Sequence, residues 1–205
     1  MFAKRKYFLF ILVLLFPFCK KFEYQTGDLI FQDLDCGEMC DAIENATIAY
    51  NNYDISHVGI ISVEDNGIYV IEAYDSVEMT PLKVFLKRSN KILVGRLKPE
   101  YRNIIPNAIK KAKSLIGKPY DIYFKNGNDS FYCSEVVYES FVTQKGHLFD
   151  LFPMNFKNLE TGKIDSVWIK YFDKMGKKVP QGELGSNPAA YSLSDKIEIL
   201  YQQNM

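Results

Sequence analysis

With 205 residues, 47% of them apolar and 15% aromatic, the chain has enough core-forming side chains for one folded domain and is not composed like a disordered one. Lys and Arg number 25 and Asp and Glu 25, giving a formal net charge of zero. The cations are scattered and form no basic stripe to neutralise a phosphate backbone, so nucleic acid is not an expected partner.

Lys4, Arg5 and Lys6 precede an apolar run over residues 8–18 that is too short to span a bilayer comfortably. The arrangement predicts an export signal over residues 1–19, followed by one domain over residues 20–205. A buried N-terminal helix is the alternative, but the run has no polar face to show solvent. Cys19 closes the run and is a candidate lipid-attachment cysteine, hence a candidate membrane tether, although Phe18 departs from the small residue usual before such a cysteine. The expected location is the periplasm or cell envelope.

Gly27-Asp28-Leu29-Ile30-Phe31 reads as a turn followed by a short strand, with Asp28 as a turn-stabilising carboxylate. Met39, Ala42, Ile43 and Ala46 recur at helical spacing and predict a helix over residues 38–47. Setting Cys19 aside leaves Cys36, Cys40 and Cys133, an odd number, so one thiol stays free in an oxidising compartment. Cys36 and Cys40 are close enough to pair if their segment bends; two buried thiols are the alternative, and zinc would need more Cys or His ligands than the sequence offers.

Two strands follow, over residues 56–63 and 68–74, joined by Glu64-Asp65-Asn66-Gly67 as a hairpin turn. Val58 and Ile60 on one face and Ile61 and Val63 on the other predict a central strand covered on both sides. A further strand is expected over residues 91–97. Ile105, Ala108, Ile109, Ala112, Leu115 and Ile116 mark one helical face that stops at Gly117-Lys118-Pro119. A second helix is expected over residues 133–142, with Asp129 or Ser130 as its cap. A third is expected over residues 164–175, after which residues 180–194 read as an extended surface wrap. The class is α+β.

Cys133 therefore sits in the first turn of a helix, where the macrodipole favours negative charge and unpaired N–H groups can hold an oxyanion. A free thiol with a pKa near ~8.5 can be brought to roughly 3.5–7.5 by such a position together with an imidazolium. His57 opens an otherwise apolar strand and is the candidate base. Glu72 stands among apolar residues on the partner strand, where an unpaired carboxylate would be costly. If Val63 pairs with Ile68, Glu72 becomes the diagonal neighbour of His57 on the same face, at a Cα separation of roughly 7–8 Å. It can then orient the imidazole as the third member of a triad does. Tyr120 and Tyr132 are candidates for substrate contact, with aromatic packing as the alternative for Tyr120. His147 follows the cysteine helix with no carboxylate to orient it.

The pieces Gly27-Asp28-Leu29-Ile30-Phe31, Ser56-His57-Val58-Gly59-Ile60, Ile71-Glu72-Ala73, Gly117-Lys118-Pro119-Tyr120-Asp121 and Tyr132-Cys133-Ser134-Glu135 occur in that order. In them the sequence resembles the YiiX and YebB-like permuted papain-like cysteine hydrolases, relatives of the NlpC-type endopeptidases and of lecithin-retinol-acyltransferase-like proteins. In that family the histidine and its acidic partner precede the cysteine, as His57 and Glu72 precede Cys133. The resemblance implies a circularly permuted papain-like fold, an antiparallel sheet or barrel packed on helices. It also implies hydrolysis of an amide or related acyl bond through a thioacyl intermediate, without metal or organic cofactor. Members of the wider group act on cell-wall peptides or lipid acyl groups, so a peptide or an acyl lipid is the expected substrate.

Overall fold

The computed structural model describes residues 22–89 and 91–203; the export segment and Cys19 lie outside the described residues. The chain runs β1 (Leu29–Gln32), α1 (Glu38–Asn45), β2 (His57–Glu64), β3 (Gly67–Ala73), β4 (Val77–Pro81), α2 (Leu82–Phe85), β5 (Ile92–Leu97), α3 (Ile105–Ser114) and α4 (Cys133–Ser140). It continues through β6 (Val142–Thr143), β7 (Gly146–His147), β8 (Phe152–Pro153), α5 (Ser166–Asp173), β9 (Leu184–Gly185), α6 (Pro188–Ser192) and β10 (Ile197–Gln203). Six strands form one sheet in the order β10-β5-β1-β2-β3-β4, and every neighbouring pair in it is antiparallel. This is the α+β architecture expected, with an open antiparallel sheet packed on helices.

The hairpin register is the one its turn predicts. Val63 pairs with Ile68 and Glu64 with Gly67. The positive φ of the turn, +150°, falls on Gly67, where a side chain would be strained. Val58 and Ile60 face a large core that includes Ala108, Val136 and Val137, while Ile61 faces a second cluster with Val70, Phe85 and Val94. Burying such a side chain fully contributes ~1.5–3 kcal/mol. Val63, expected to be covered, is 44% exposed because it lies at the hairpin end, beyond both clusters. Gly59 has a separate role, since a Cβ there would overlap Val70 and stand 3.2 Å from the Ile71 carbonyl oxygen and 3.3 Å from the Glu72 Cβ. Only a glycine lets β3 lie this close to β2 beside Glu72.

The predicted face of α3 buries Ala108, Ile109, Ala112 and Leu115, but Ile116 is 43% exposed. The helix has already ended there, and the Gly117 N–H bonds to the Val77 carbonyl at 2.8 Å. Val77 in turn donates to the Lys118 carbonyl at 2.8 Å, which stitches the chain after α3 to β4. Phe131 donates to the Pro119 carbonyl and Asp121 to that of Phe131, closing the intervening loop so that the chain enters α4 at Cys133. The expected cap is not used: Tyr132 is the N-cap residue and makes no side-chain capping bond. Asp129 instead pairs with Lys118 Nζ at 2.7 Å and Ser130 bonds to Asn128, both drawn away by the loop closure.

The C-terminal part departs furthest from expectation. Residues 180–194 are not a surface wrap. They form β9, paired with β8, and then α6, and Ser186, Ala189, Tyr191 and Ser192 are buried. The Asn187 side chain accepts the Ala190 N–H at 3.2 Å, and Pro188 occupies the first helical turn, a start signal written in the sequence. β10 then completes the sheet edge against β5.

Candidate active site

His57, the first residue of β2, pairs with Gln32 of β1, and its ring lies 5.9 Å from that of Phe85 and 6.2 Å from that of Tyr74. Its Nε2 bonds to Glu72 Oε2 at 2.5 Å. Cys133 lies near enough to the ring to raise its pKa, and with Nε2 committed to Glu72 the ring nitrogen left for the sulfur is Nδ1. Burial alone would pull the imidazole pKa down. The hydrogen bonds with Cys133 and Glu72, reinforced by their charges, more than reverse this and raise it from 6.5 to about 9.

Glu72 has a second partner that the sequence did not disclose. Arg88 grips it in bidentate fashion, Nη1 donating to Oε2 at 2.8 Å and Nη2 to Oε1 at 2.9 Å. The guanidinium also lies 4.1 Å from the Tyr74 ring centroid. Burial pushes the Glu72 carboxyl up, but His57, Arg88 and Thr80 outweigh it and hold its pKa below the ordinary value. Arg88 belongs to no motif; it arrives because α2 turns the chain back over β3.

Cys133 is the free cysteine among the described residues, and it is 6% exposed at the head of α4. The N–H groups of Cys133 and Ser134 are among those that a helix leaves without internal acceptors. The polar residues that follow it, Ser134 and Glu135, are both buried. Ser186 Oγ donates to Ser134 Oγ at 3.0 Å, and Glu135 is fully buried, its pKa raised to about 8 by burial and by Asp121. Asp121 accepts the N–H groups of Tyr123 and Lys125 at 2.8 and 2.7 Å and so organises the loop before α4.

Tyr120 and Tyr132 both line a cavity of about 220 Å³ whose wall includes Cys133. Tyr132 contributes its ring there, since its hydroxyl accepts the Ser186 N–H at 2.8 Å, and burial pushes its pKa to about 12. Burial likewise raises Tyr120, with the neighbouring Cys133 adding to it. His147 is remote from this group: it is exposed, stacks on Tyr138 at 3.9 Å and bonds to the Tyr138 carbonyl. Asp28 is structural, clamped by Arg96 at 2.7 and 2.8 Å and accepting the Gln25 N–H. Cys36 and Cys40 form a disulfide at the start of α1, in a groove that also contains His57.

Residues 23–201 match the family described as permuted papain-like amidase enzyme, YaeF/YiiX, C92 family. The chain belongs to this family. It is 31% identical over 172 residues to the protein YiiX of Escherichia coli (strain K12), spanning 81% of this chain and 80% of that one. It also resembles the crystal structure of the metalloprotein yiiX from Escherichia coli O157:H7, with a TM-score of 0.72 and 26% identity, covering 87% of this chain and 97% of the other. Membership makes this a papain-like protein of cysteine hydrolase type. The description of the crystal structure raises the question of a metal. Among the described residues no group of three or more His, Cys, Asp or Glu side chains is placed to hold one. At Cys133 the donors do not fit either, because His57 Nε2 is held by Glu72, and Glu72 is itself neutralised by Arg88.

Proposed function

We propose that the protein hydrolyses an amide or related acyl bond through a thioacyl-enzyme intermediate, with Cys133 as nucleophile, His57 as acid and base, and Glu72 orienting His57. The observation that carries this reading is the hydrogen-bonded chain His57, Glu72, Arg88, set beside a free thiol at a helix N-terminus that perturbs the His57 ring.

In the first step the Cys133 sulfur, its proton held by His57 Nδ1, attacks the acyl carbonyl carbon. The Cys133 N–H stabilises the oxyanion. As the C–N or C–O bond breaks, His57 gives its proton to the departing amine or alcohol. Water then gives a proton to His57, attacks the thioester and breaks the C–S bond, releasing a carboxylic acid and regenerating the thiol. Through both steps Glu72 holds Nε2–H and so fixes the tautomer that presents Nδ1 to the sulfur.

p-Nitrophenyl acetate tests this directly. A burst of one nitrophenol per chain, followed by slower steady release, is the expected signature of acylation outpacing deacylation. Absence of any Cys133-dependent nitrophenol release would remove the reading.

Export to the periplasm or cell envelope, with Cys19 as a membrane tether, belongs to the same proposal. The Cys36–Cys40 disulfide supports it, because such bonds persist in oxidising compartments. Thioacyl chemistry serves cell-wall peptides and lipid acyl groups equally well.

A further inference from the structure

The second face of the sheet, with Ile30, Ile61, Val70 and Val94, lies under Leu82 and Phe85 of α2, and Phe22 and Tyr24 pack beside this cluster. A groove of about 820 Å³ is lined by both α2 and the segment 22–24. Its floor is aliphatic, from Ile68, Leu82 and Leu86, and its rim is aromatic. The Phe22 ring lies 5.0 Å from that of Tyr24 and 4.8 Å from that of Tyr201, and Tyr69 adds a further half-buried ring from β3. Among the described residues that line the groove, Glu23 is the one carboxylate and Lys83 the one cation. Lys87, four residues on, is exposed, and Lys20 and Lys21 stand directly before Phe22 in the sequence.

A rim of rings over an aliphatic floor, with lysines around it, has the chemistry of a surface that meets lipid. Tyrosine and phenylalanine settle at headgroup level, apolar side chains reach the acyl boundary, and lysines are attracted to anionic headgroups. The position of the groove adds a reason for a bilayer to cover it. Cys19 is three residues before Phe22, a span of at most roughly 11 Å, so a lipid anchor there brings the bilayer to this groove before any other part of the domain. We propose that the groove is the face by which the protein docks on an anionic bilayer surface. This rests on the Cys19 tether proposed above and adds the orientation of the tethered domain. His57 and Glu72 then lie just behind the docked helix, because Phe85 of α2 and Arg88 after it reach them.

The test uses the full chain reconstituted in vesicles of phosphatidylglycerol and phosphatidylcholine with brominated acyl chains, which quench indole fluorescence on contact. Trp168, the one tryptophan of the sequence, is buried with Phe156 and Phe172 outside the groove and serves as the unquenched reference. Tyr69→Trp sets a second indole in the groove, and its added emission falls by half or more in these vesicles while that of the parent does not change. A lysine near an anionic surface favours binding about fivefold, so Lys83→Glu with Lys87→Glu lowers the ratio of docked to undocked protein by roughly 25-fold or more. Quenching is then lost while circular dichroism stays that of the parent. A chain that sediments with the vesicles but keeps the added emission overturns the docking face and leaves the tether standing. A chain that neither sediments nor is quenched overturns both. Equal quenching in vesicles of phosphatidylcholine alone overturns the anionic surface as the partner.

Discussion

Cys133→Ala is expected to lower kcat/KM for p-nitrophenyl acetate by about 10⁴-fold or more, while circular dichroism and melting temperature stay close to those of the parent. Removing the nucleophile of such a unit abolishes the covalent route and leaves only what binding and the oxyanion site contribute, hence the size of the effect. The fold has little reason to respond, because the substitution deletes a single sulfur at the head of α4 whose neighbours Val136 and Val137 keep their contacts with β2. A variant that keeps most of its activity would make Cys133 a core residue and nothing more.

The second large effect separates the roles of Glu72 and Arg88. His57 has its pKa raised above the unfolded value, so the stability it contributes is fully present below pH 6.5 and is lost as pH rises through about 9. Protonation of the leaving group depends on the same imidazolium, so kcat/KM falls over that alkaline limb. Glu72→Gln removes one of the two groups that hold the proton on the ring, and the limb moves down from about 9 towards 6.5. Arg88→Met removes a cation instead of an anion, so the limb does not move down. Its main cost is stability: Glu72 is buried, and stripping one partner from a buried ion pair costs about 3–5 kcal/mol, roughly 6–20 °C in Tm for a chain of this size. A downward limb shift in Arg88→Met, or an unchanged limb in Glu72→Gln, contradicts this division. The pH–rate profiles and thermal melts of the two variants decide it.

Much of this constellation was legible in the sequence because it is set by local rules. The turn Glu64 to Gly67 fixes the pairing of Val63 with Ile68, and the alternation of a strand then carries Glu72 to the face of His57. Helical periodicity after residue 132 put Cys133 in a first turn, where it stands. Arg88 was not legible, since an arginine after a short helix looks like any solvated charge until α2 folds it over β3. Nor was the cap of α4, where Asp129 and Ser130 were outcompeted by bonds within their own loop. The C-terminal segment was misjudged by composition. Its Gly, Pro, Ser and Asn content suggested a loop, yet Asn187-Pro188 is a helix start, and Ile197 and Ile199 alternate onto the core face before a register shift carries Tyr201 to the other. The order in which these elements close over Cys133 depends on contacts distant in sequence, such as Ser134 with Ser186.

The most direct measurement mixes the protein with excess p-nitrophenyl acetate, quenches it in acid within the first turnover, and reads the intact mass and the peptide that contains Cys133. A single acetyl group on that peptide, absent from Cys133→Ala and strongly reduced in His57→Ala, is the predicted result. An unmodified Cys133 while ester is being consumed, or an acetyl group carried elsewhere on the chain, would contradict the account.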